Sequence, residues 1–153
     1  MRERFQKLLS EEKRHLKRLK EAYETLGSLG YSLPLSGEDV RELLTSREGT
    51  MALDQIAYRF SKLQDSLGKL LKTSLSLLGE SVEHLPMVDV VNAAEKIGFP
   101  VSEEKWFELR SLRNLTAHEY EEETGKIAEL INGIYRELNY LEDLIQYVEG
   151  RTK

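Results

Sequence analysis

The sequence predicts an all-α protein, an up-and-down bundle of four long helices and one short helix. Apolar residues recur at intervals of three, four and seven along most of the chain, which places them on one face of successive amphipathic helices. Glycine and proline lie mainly between these periodic stretches, where they end one helix or begin the next. The chain has 153 residues, the length of one domain, so we expect residues 1–153 to form a single helical domain.

The first half of the chain predicts a long helix, a short helix and a second long helix. The first helix has its apolar positions between residues 5 and 26. Ser36 or Gly37 is expected to cap a short helix from Glu38 to Leu44. The longest periodic segment has Thr50 as its expected N-cap and continues nearly to residue 79, a helix of about 45 Å. Such a helix is longer than one small bundle needs, which is compatible with a break near Gly68 or a projection into a partner subunit. The alternative is a slightly kinked core helix.

In the second half, Pro86 opens a segment over residues 88–97 that is rich in valine. Valines suit a strand as well, but no partner strand is evident, and we favour a helix. Ser102 is the expected N-cap of the next helix, with two glutamates in its first turn where they suit the helix dipole. Trp106 on this helix is expected to anchor the core. A final helix should run from Ile127 to Gly150.

Composition excludes several classes of function. The chain has no cysteine and only three scattered histidines, so we expect no metal site and no cofactor. It has no apolar run long enough to cross a membrane, and its N-terminus is too charged for a secretory signal. We therefore expect a soluble, cytoplasmic protein with no membrane partner. A net charge of −5 argues against nonspecific coating of nucleic acid.

Charge is unevenly distributed along the chain. The first 20 residues contain eight basic and three acidic side chains. This stretch is expected to be a solvated helix face with paired opposite charges, or else a rim that attracts phosphate. An acidic run follows residue 118, formed by Glu119, Glu121, Glu122 and Glu123. Its carboxylates would either repel an RNA backbone or hold a neighbouring imidazole protonated, and both interpretations stay open.

The stretch RNLTAHEY, from Arg113 to Tyr120, has the residue types of a chemical site. Residues four apart lie above one another on a helix, so Arg110, Asn114 and His118 should form a polar column. Arg113 flanks this column, whereas Tyr120 comes near it only if the helix ends soon after position 118. A histidine that titrates near neutral pH, an arginine suited to phosphate oxygens and an orienting amide could together act on a phosphodiester.

The same residues resemble the R-x-x-x-x-H-x-Y signature of the HEPN superfamily (higher eukaryotes and prokaryotes nucleotide-binding domains), and in particular its HepT toxin branch. The signature is complete as Arg113, Asn114, His118 and Tyr120. The segments AYRFSKLQDSLGKLL (57–71) and WFELRSLRN (106–114) are also similar to that branch. The resemblance extends over most of residues 51–148.

This resemblance implies a homodimer whose composite cleft holds two copies of the motif and cleaves RNA without a metal. His118 would take the proton of a ribose 2′-hydroxyl and Arg113 would stabilise charge on the phosphate, with Asn114 and Arg110 binding substrate. It also implies a cognate minimal nucleotidyltransferase as antitoxin. Some such partners transfer AMP to the tyrosine of the motif, which makes Tyr120 the candidate acceptor.

Two other interpretations remain. The chain could be a non-catalytic module that binds substrate for a minimal nucleotidyltransferase or regulates it, or a structural bundle in which the motif is a coincidence. Retention of both Arg113 and His118 favours the enzyme, because a scaffold needs neither. Arg59 and Asp65 lie in the segment that shows the resemblance, and from their spacing we expect only an orienting or salt-bridge role.

Overall fold

The computed structural model describes residues 1–117 and 122–153. These ranges contain six helices and no strand: α1 Arg2–Ser28, α2 Gly37–Leu43, α3 Arg47–Leu77, α4 Met87–Lys96, α5 Glu103–Leu115 and α6 Thr124–Arg151. The prediction of an all-α fold is confirmed. The described helices number six rather than five, and the valine-rich segment is helical as predicted. Only α1, α3 and α6 are longer than 20 residues, so three helices rather than four are long.

The three long helices form the centre of the molecule. The most extensive packing is between α1 and α3, and α6 packs against both. Helices α4 and α5 lie against α3 and against each other, while α2 packs mainly on α6. Fully buried residues such as Leu19, Phe60 and Ile134 belong to one continuous hydrophobic core, whose burial is the main favourable term in folding.

Two of the predicted helix starts are confirmed. The Ser36 Oγ accepts a hydrogen bond from the Asp39 backbone N–H, and the Asp39 carboxylate accepts one from the Ser36 N–H, which is a capping box at the start of α2. The Ser102 Oγ accepts from the Lys105 N–H at the start of α5. These caps are local side-chain interactions, so the sequence is sufficient to predict them.

The predicted start of α3 is wrong by several residues. Its N-cap is Ser46, whose Oγ accepts from the Gly49 N–H at 2.9 Å, and not Thr50. Gly49 therefore lies in the first turn of the helix. A Cβ at this position would lie 2.2 Å from the backbone oxygen of Leu43, at the end of α2. Gly49 therefore permits close packing of α2 against α3. It lies inside α3 and does not mark the boundary before that helix.

Helix α3 continues through Gly68 as one helix of 31 residues, so the break predicted there is absent. A Cβ on Gly68 would lie 3.0 Å from the Sδ of Met87 and 3.7 Å from Cζ2 of Trp106. This glycine therefore leaves room for side chains of α4 and α5. Trp106 is 6% exposed, which confirms its predicted role in the core.

Three of the eight basic side chains in the first 20 residues form ion pairs with described acidic residues. Lys13 lies 2.6 Å from Glu149 on α6, Lys20 pairs with Glu142 on the same helix, and Arg18 pairs with Glu21 on α1 itself. These contacts support the first interpretation of this stretch, a solvated face with opposite charges. None of the described helices is long and apolar enough to span a membrane.

Candidate functional site

Arg113 lies in the last turn of α5 and forms a two-point ion pair with Asp65 on α3. Its Nε lies 2.9 Å from Oδ1 and its Nη2 lies 3.1 Å from Oδ2. The Arg113 side chain is 30% exposed and that of Asp65 is 50% exposed. The hydrogen bonds to Asp65 raise the pKa of Arg113 above its ordinary value. Asp65 thus has the salt-bridge role expected from its spacing, and it orients the planar guanidinium.

Helix α5 ends at Leu115, immediately after Arg113 and Asn114. The Thr116 N–H and Oγ1 both donate to the Arg113 carbonyl, and the Ala117 N–H donates to the Asn114 carbonyl. These contacts close the helix before position 118. The described part of the predicted polar column therefore consists of Arg110 and Asn114, on successive turns.

His118 and Tyr120 lie outside the described residues, together with Glu119 and Glu121. The described remainder of the acidic run is exposed, and Glu123 is the N-cap residue of α6. In the sequence, the motif thus extends from the end of α5 towards α6. Its first two residues, Arg113 and Asn114, lie on α5.

A cavity of about 230 Å³ opens beside the ion pair, between α3, α4 and α5. Besides Asp65 and Arg113, its wall is formed by Gln64, Gly68, Met87, Trp106, Arg110 and Asn114. Three of the residues singled out in the sequence, Arg110, Arg113 and Asn114, therefore line one cavity. Arg110 is exposed and makes no ion pair with any described residue. Among the described residues of the wall, two guanidiniums and one carboxylate leave an excess of one positive charge, which favours an anionic group.

The wall also contains Gln64, Gly68 and Met87, which the motif did not predict as site residues. Gln64 and Gly68 are four residues apart on α3, which places them on the same face of the helix. Both belong to the segment 57–71 that resembles the HepT branch. The resemblance over this segment could have indicated Gln64 as a site residue, whereas no pattern in the sequence indicated Met87.

Helix α5 also carries exposed apolar side chains on the face away from the core. Phe107 is 51% exposed and Leu115 is 37% exposed. On the opposite side of the helix, Trp106 and Leu109 are buried. Phe107 and Leu115 are eight residues apart, so they lie along the same side of the helix. The exposed Ser111 lies between them on this side, so Phe107 is the main apolar group that α5 presents to solvent.

A second polar cluster lies between α1 and α3. The Ser66 hydroxyl donates to the carboxyl of Glu12, which is completely buried. Arg59 Nη1 donates to His15 Nδ1 at 3.1 Å. Burial raises the pKa of Glu12 to about 8, although the hydrogen bond from Ser66 acts in the opposite direction. Burial, followed by the charge of Arg59, lowers the pKa of His15.

A larger cavity of about 520 Å³ lies between α1 and α6, away from the motif. Its wall includes Tyr23, Tyr31, Tyr135 and Lys20. The hydroxyl of Tyr23 donates to the Ile131 carbonyl, and the Tyr31 hydroxyl and Lys20 bind glutamates. Three polar groups of this wall are thus already paired, and no described residue of the motif reaches it. The smaller cavity beside Arg113 is the better candidate for a functional site because residues of the motif line it.

Comparison of the chain with protein-family models, with curated proteins and with solved structures finds no match. Among the described residues, no group of three or more histidine, aspartate or glutamate side chains is arranged to hold a metal ion. The functional interpretation therefore depends on the motif and on the geometry around Arg113.

Proposed function

We propose that this protein is a metal-independent endoribonuclease, the toxin of a toxin–antitoxin pair of the HEPN and minimal nucleotidyltransferase type. The observation that carries this proposal is the position of Arg113. It lies at the end of α5, directly before the stretch that contains His118, and lines a cavity with Arg110 and Asn114. An anchored guanidinium beside a second one that pairs with no described residue is an arrangement suited to a phosphodiester.

Asp65 leaves Arg113 enough hydrogen-bonding capacity for a phosphate. A guanidinium has five N–H groups, and the ion pair uses the Nε–H and one N–H of Nη2. The two N–H groups of Nη1 and the other N–H of Nη2 remain for phosphate oxygens. Asp65 therefore acts as a positioning residue, since it fixes the plane of the guanidinium before substrate binds.

The proposed reaction is a transphosphorylation. Neutral His118 takes the proton from the ribose 2′-hydroxyl, and the 2′-oxygen attacks the adjacent phosphorus. The bond to the 5′-oxygen breaks, which leaves a 2′,3′-cyclic phosphate and a 5′-hydroxyl end. Arg113 stabilises the negative charge that develops on the phosphoryl oxygens, while Arg110 and Asn114 bind the substrate backbone. The base, the guanidinium and an acid that gives a proton to the departing 5′-oxygen supply this chemistry without a metal ion.

The proposal includes a homodimer. Departure of the 5′-oxygen needs an acid, and a second copy of His118 across a two-fold axis would provide it. The exposed Phe107 supports this arrangement, because it is a large apolar side chain on the helix that carries Arg113. In an isologous interface the same patch meets itself, so two α5 helices in contact would bring two motifs together.

A test of the nuclease uses the purified protein with cellular RNA in EDTA. We expect products with 2′,3′-cyclic phosphate ends, and we expect Arg113→Ala and His118→Ala each to lower the cleavage rate at least 100-fold. Arg41→Ala is the matched control, since Arg41 pairs with Glu38 on the exposed surface of α2. Undiminished cleavage by His118→Ala would overturn the proposed mechanism.

The proposed antitoxin is a minimal nucleotidyltransferase that transfers AMP to Tyr120. Added phosphates at this position would place negative charge near Arg113 and block the path of the RNA. Co-expression with such a partner should raise the intact mass of the chain in steps of AMP, and Tyr120→Phe should abolish the increase. An unchanged mass after co-expression would exclude this form of control.

A non-catalytic partner of a nucleotidyltransferase is the second candidate. The observation in its favour is the closed pair of Arg113 and Asp65, because ion pairs of this kind also serve purely structural roles. This candidate predicts no cleavage of RNA under any condition, together with stable binding of the nucleotidyltransferase. Binding that survives Arg113→Ala and His118→Ala would support it against the nuclease.

A further inference from the structure

We infer that the cavity beside the Arg113–Asp65 pair is a base subsite, in which Gln64 binds the edge of an adenine. The adenine would belong to the nucleotide whose 2′-hydroxyl attacks. The inference rests on the proposed cleavage of RNA, and it adds a preference for one base to that activity.

The first observation is an unsatisfied polar group in the cavity wall. Gln64 is 6% exposed, and its Oε1 is buried without a hydrogen-bond partner among the described residues. Buried acceptors are nearly always paired, because an unpaired one costs free energy. The terminal torsion of a glutamine has a broad energy minimum, so the amide can turn towards a ligand in the cavity. A ligand with a suitable donor would satisfy Oε1.

The second observation is the shape and chemistry of the cavity. Its volume of about 230 Å³ is below the range typical of drug-sized ligands, which suits one nucleobase. Met87 and Trp106 provide apolar surface, and both approach Gly68 closely because it has no side chain. Arg113 and Arg110 lie in the same wall. A base in the cavity would therefore have its phosphate next to the two guanidiniums.

The amide of Gln64 matches adenine better than guanine. A glutamine can accept a hydrogen bond from N6 of adenine and donate one to N7. The inferred binding is through the N7 edge, where guanine presents two acceptors, O6 and N7, so the amide oxygen would stay unpaired. The two bases are similar in size, and the difference in hydrogen bonding should therefore decide the preference.

The test measures binding of nucleoside 3′-monophosphates to the full-length protein in EDTA. Trp106 is the only tryptophan in the sequence and lies in the cavity wall, so its fluorescence reports occupancy of the cavity. We expect 3′-AMP to bind about tenfold more tightly than 3′-GMP. Gln64→Leu should lower the affinity for 3′-AMP to that for 3′-GMP. Gln55→Leu, on the same helix but outside this cavity, should leave the preference unchanged.

Equal affinities of the unmodified protein for 3′-AMP and 3′-GMP, or no response to either, would overturn the inference. A preference that persists in Gln64→Leu would do the same. If Gln64→Leu does not fold, Gly68→Ala is the second test of the subsite. Its methyl group would lie 3.0 Å from the Met87 sulfur and would change the shape of the cavity wall. It should weaken 3′-AMP binding at least threefold, and unchanged affinity would refute the subsite.

The outcome is distinguishable from that of the proposed function. Cleavage of RNA in EDTA without a preference that depends on Gln64 would refute the subsite and leave the nuclease intact. A preference that depends on Gln64, in a protein that cleaves no RNA, would establish the subsite and refute the nuclease.

Discussion

Arg113 in α5 donates two parallel hydrogen bonds to Asp65 in α3, across 48 residues of sequence. The pair connects the two helices at the point where α5 ends. It also determines which N–H groups of the guanidinium face away from the protein. A residue that the sequence motif identifies is thus oriented by a residue outside the motif.

The effect of Asp65→Ala should be larger on activity than on stability. The pair is well exposed, so its loss should lower the free energy of unfolding by less than about 1 kcal/mol. Cleavage of RNA should fall about tenfold, because the guanidinium loses its fixed plane. Urea denaturation and single-turnover cleavage measure the two effects. Glu38→Ala breaks the exposed pair with Arg41 and is the control, because it should not lower the cleavage rate. A tenfold loss of cleavage in Glu38→Ala would contradict the positioning role of Asp65.

Glu12 should make the protein less stable as pH rises from about 4.5 to about 8. In this window the unfolded chain has an ionised Glu12, whereas the folded protein keeps it protonated because burial raises its pKa to about 8. The folded state then binds more protons than the unfolded state, so the free energy of unfolding falls with pH. The neighbouring Glu11 and Ser66 also act on this carboxyl.

Glu12→Gln is the test of this dependence, since its amide resembles the protonated carboxyl. Urea denaturation at several pH values should show that the variant lacks the fall and is more stable than the unmodified protein at pH 8. His15, whose pKa is lowered, acts in the opposite direction below about pH 6.5, so the difference between the two proteins is the relevant quantity. The exposed Glu24→Gln is the control. Parallel pH profiles for Glu12→Gln and the unmodified protein would contradict the prediction.

Gly49→Ala should destabilise the fold by at least about 2 kcal/mol. The added Cβ would lie 2.2 Å from the Leu43 backbone oxygen, and a backbone atom cannot move away without separating α2 from α3. Gly27→Ala is the matched substitution in α1, where no atom lies within 4 Å of the added Cβ. It should be neutral or stabilising by up to about 1 kcal/mol. Thermal or urea denaturation measures both, and similar losses of stability would be the contrary result.

Phe107→Glu should convert the expected dimer into a monomer and abolish cleavage of RNA. A charged side chain in the centre of an apolar interface is strongly unfavourable. Met51→Glu changes an equally exposed apolar residue of α3 and should leave the dimer unchanged. Sedimentation equilibrium determines the mass of each protein. A monomeric unmodified protein that still cleaves RNA would remove the composite cleft from the mechanism.

The sequence by itself was sufficient for the features that depend on neighbouring residues. The periodic apolar positions predict helices because a helix needs only one apolar face to bury. The caps at Ser36 and Ser102 are interactions within four residues. The spacing of Arg110 and Asn114 likewise places them on successive turns, and the structure has both in the wall of one cavity.

Only the tertiary structure decided the features that depend on residues distant in sequence. The glycines at 49 and 68 look like helix breakers in the sequence, but each lies inside α3 where another element approaches closely. Glu12 has the local sequence of an exposed charge, and its burial follows from the packing of α1 on α3. The pairing of Asp65 with Arg113, and the unsatisfied amide of Gln64 beside it, exist because α3 and α5 are adjacent in space, a relationship that helical periodicity does not specify.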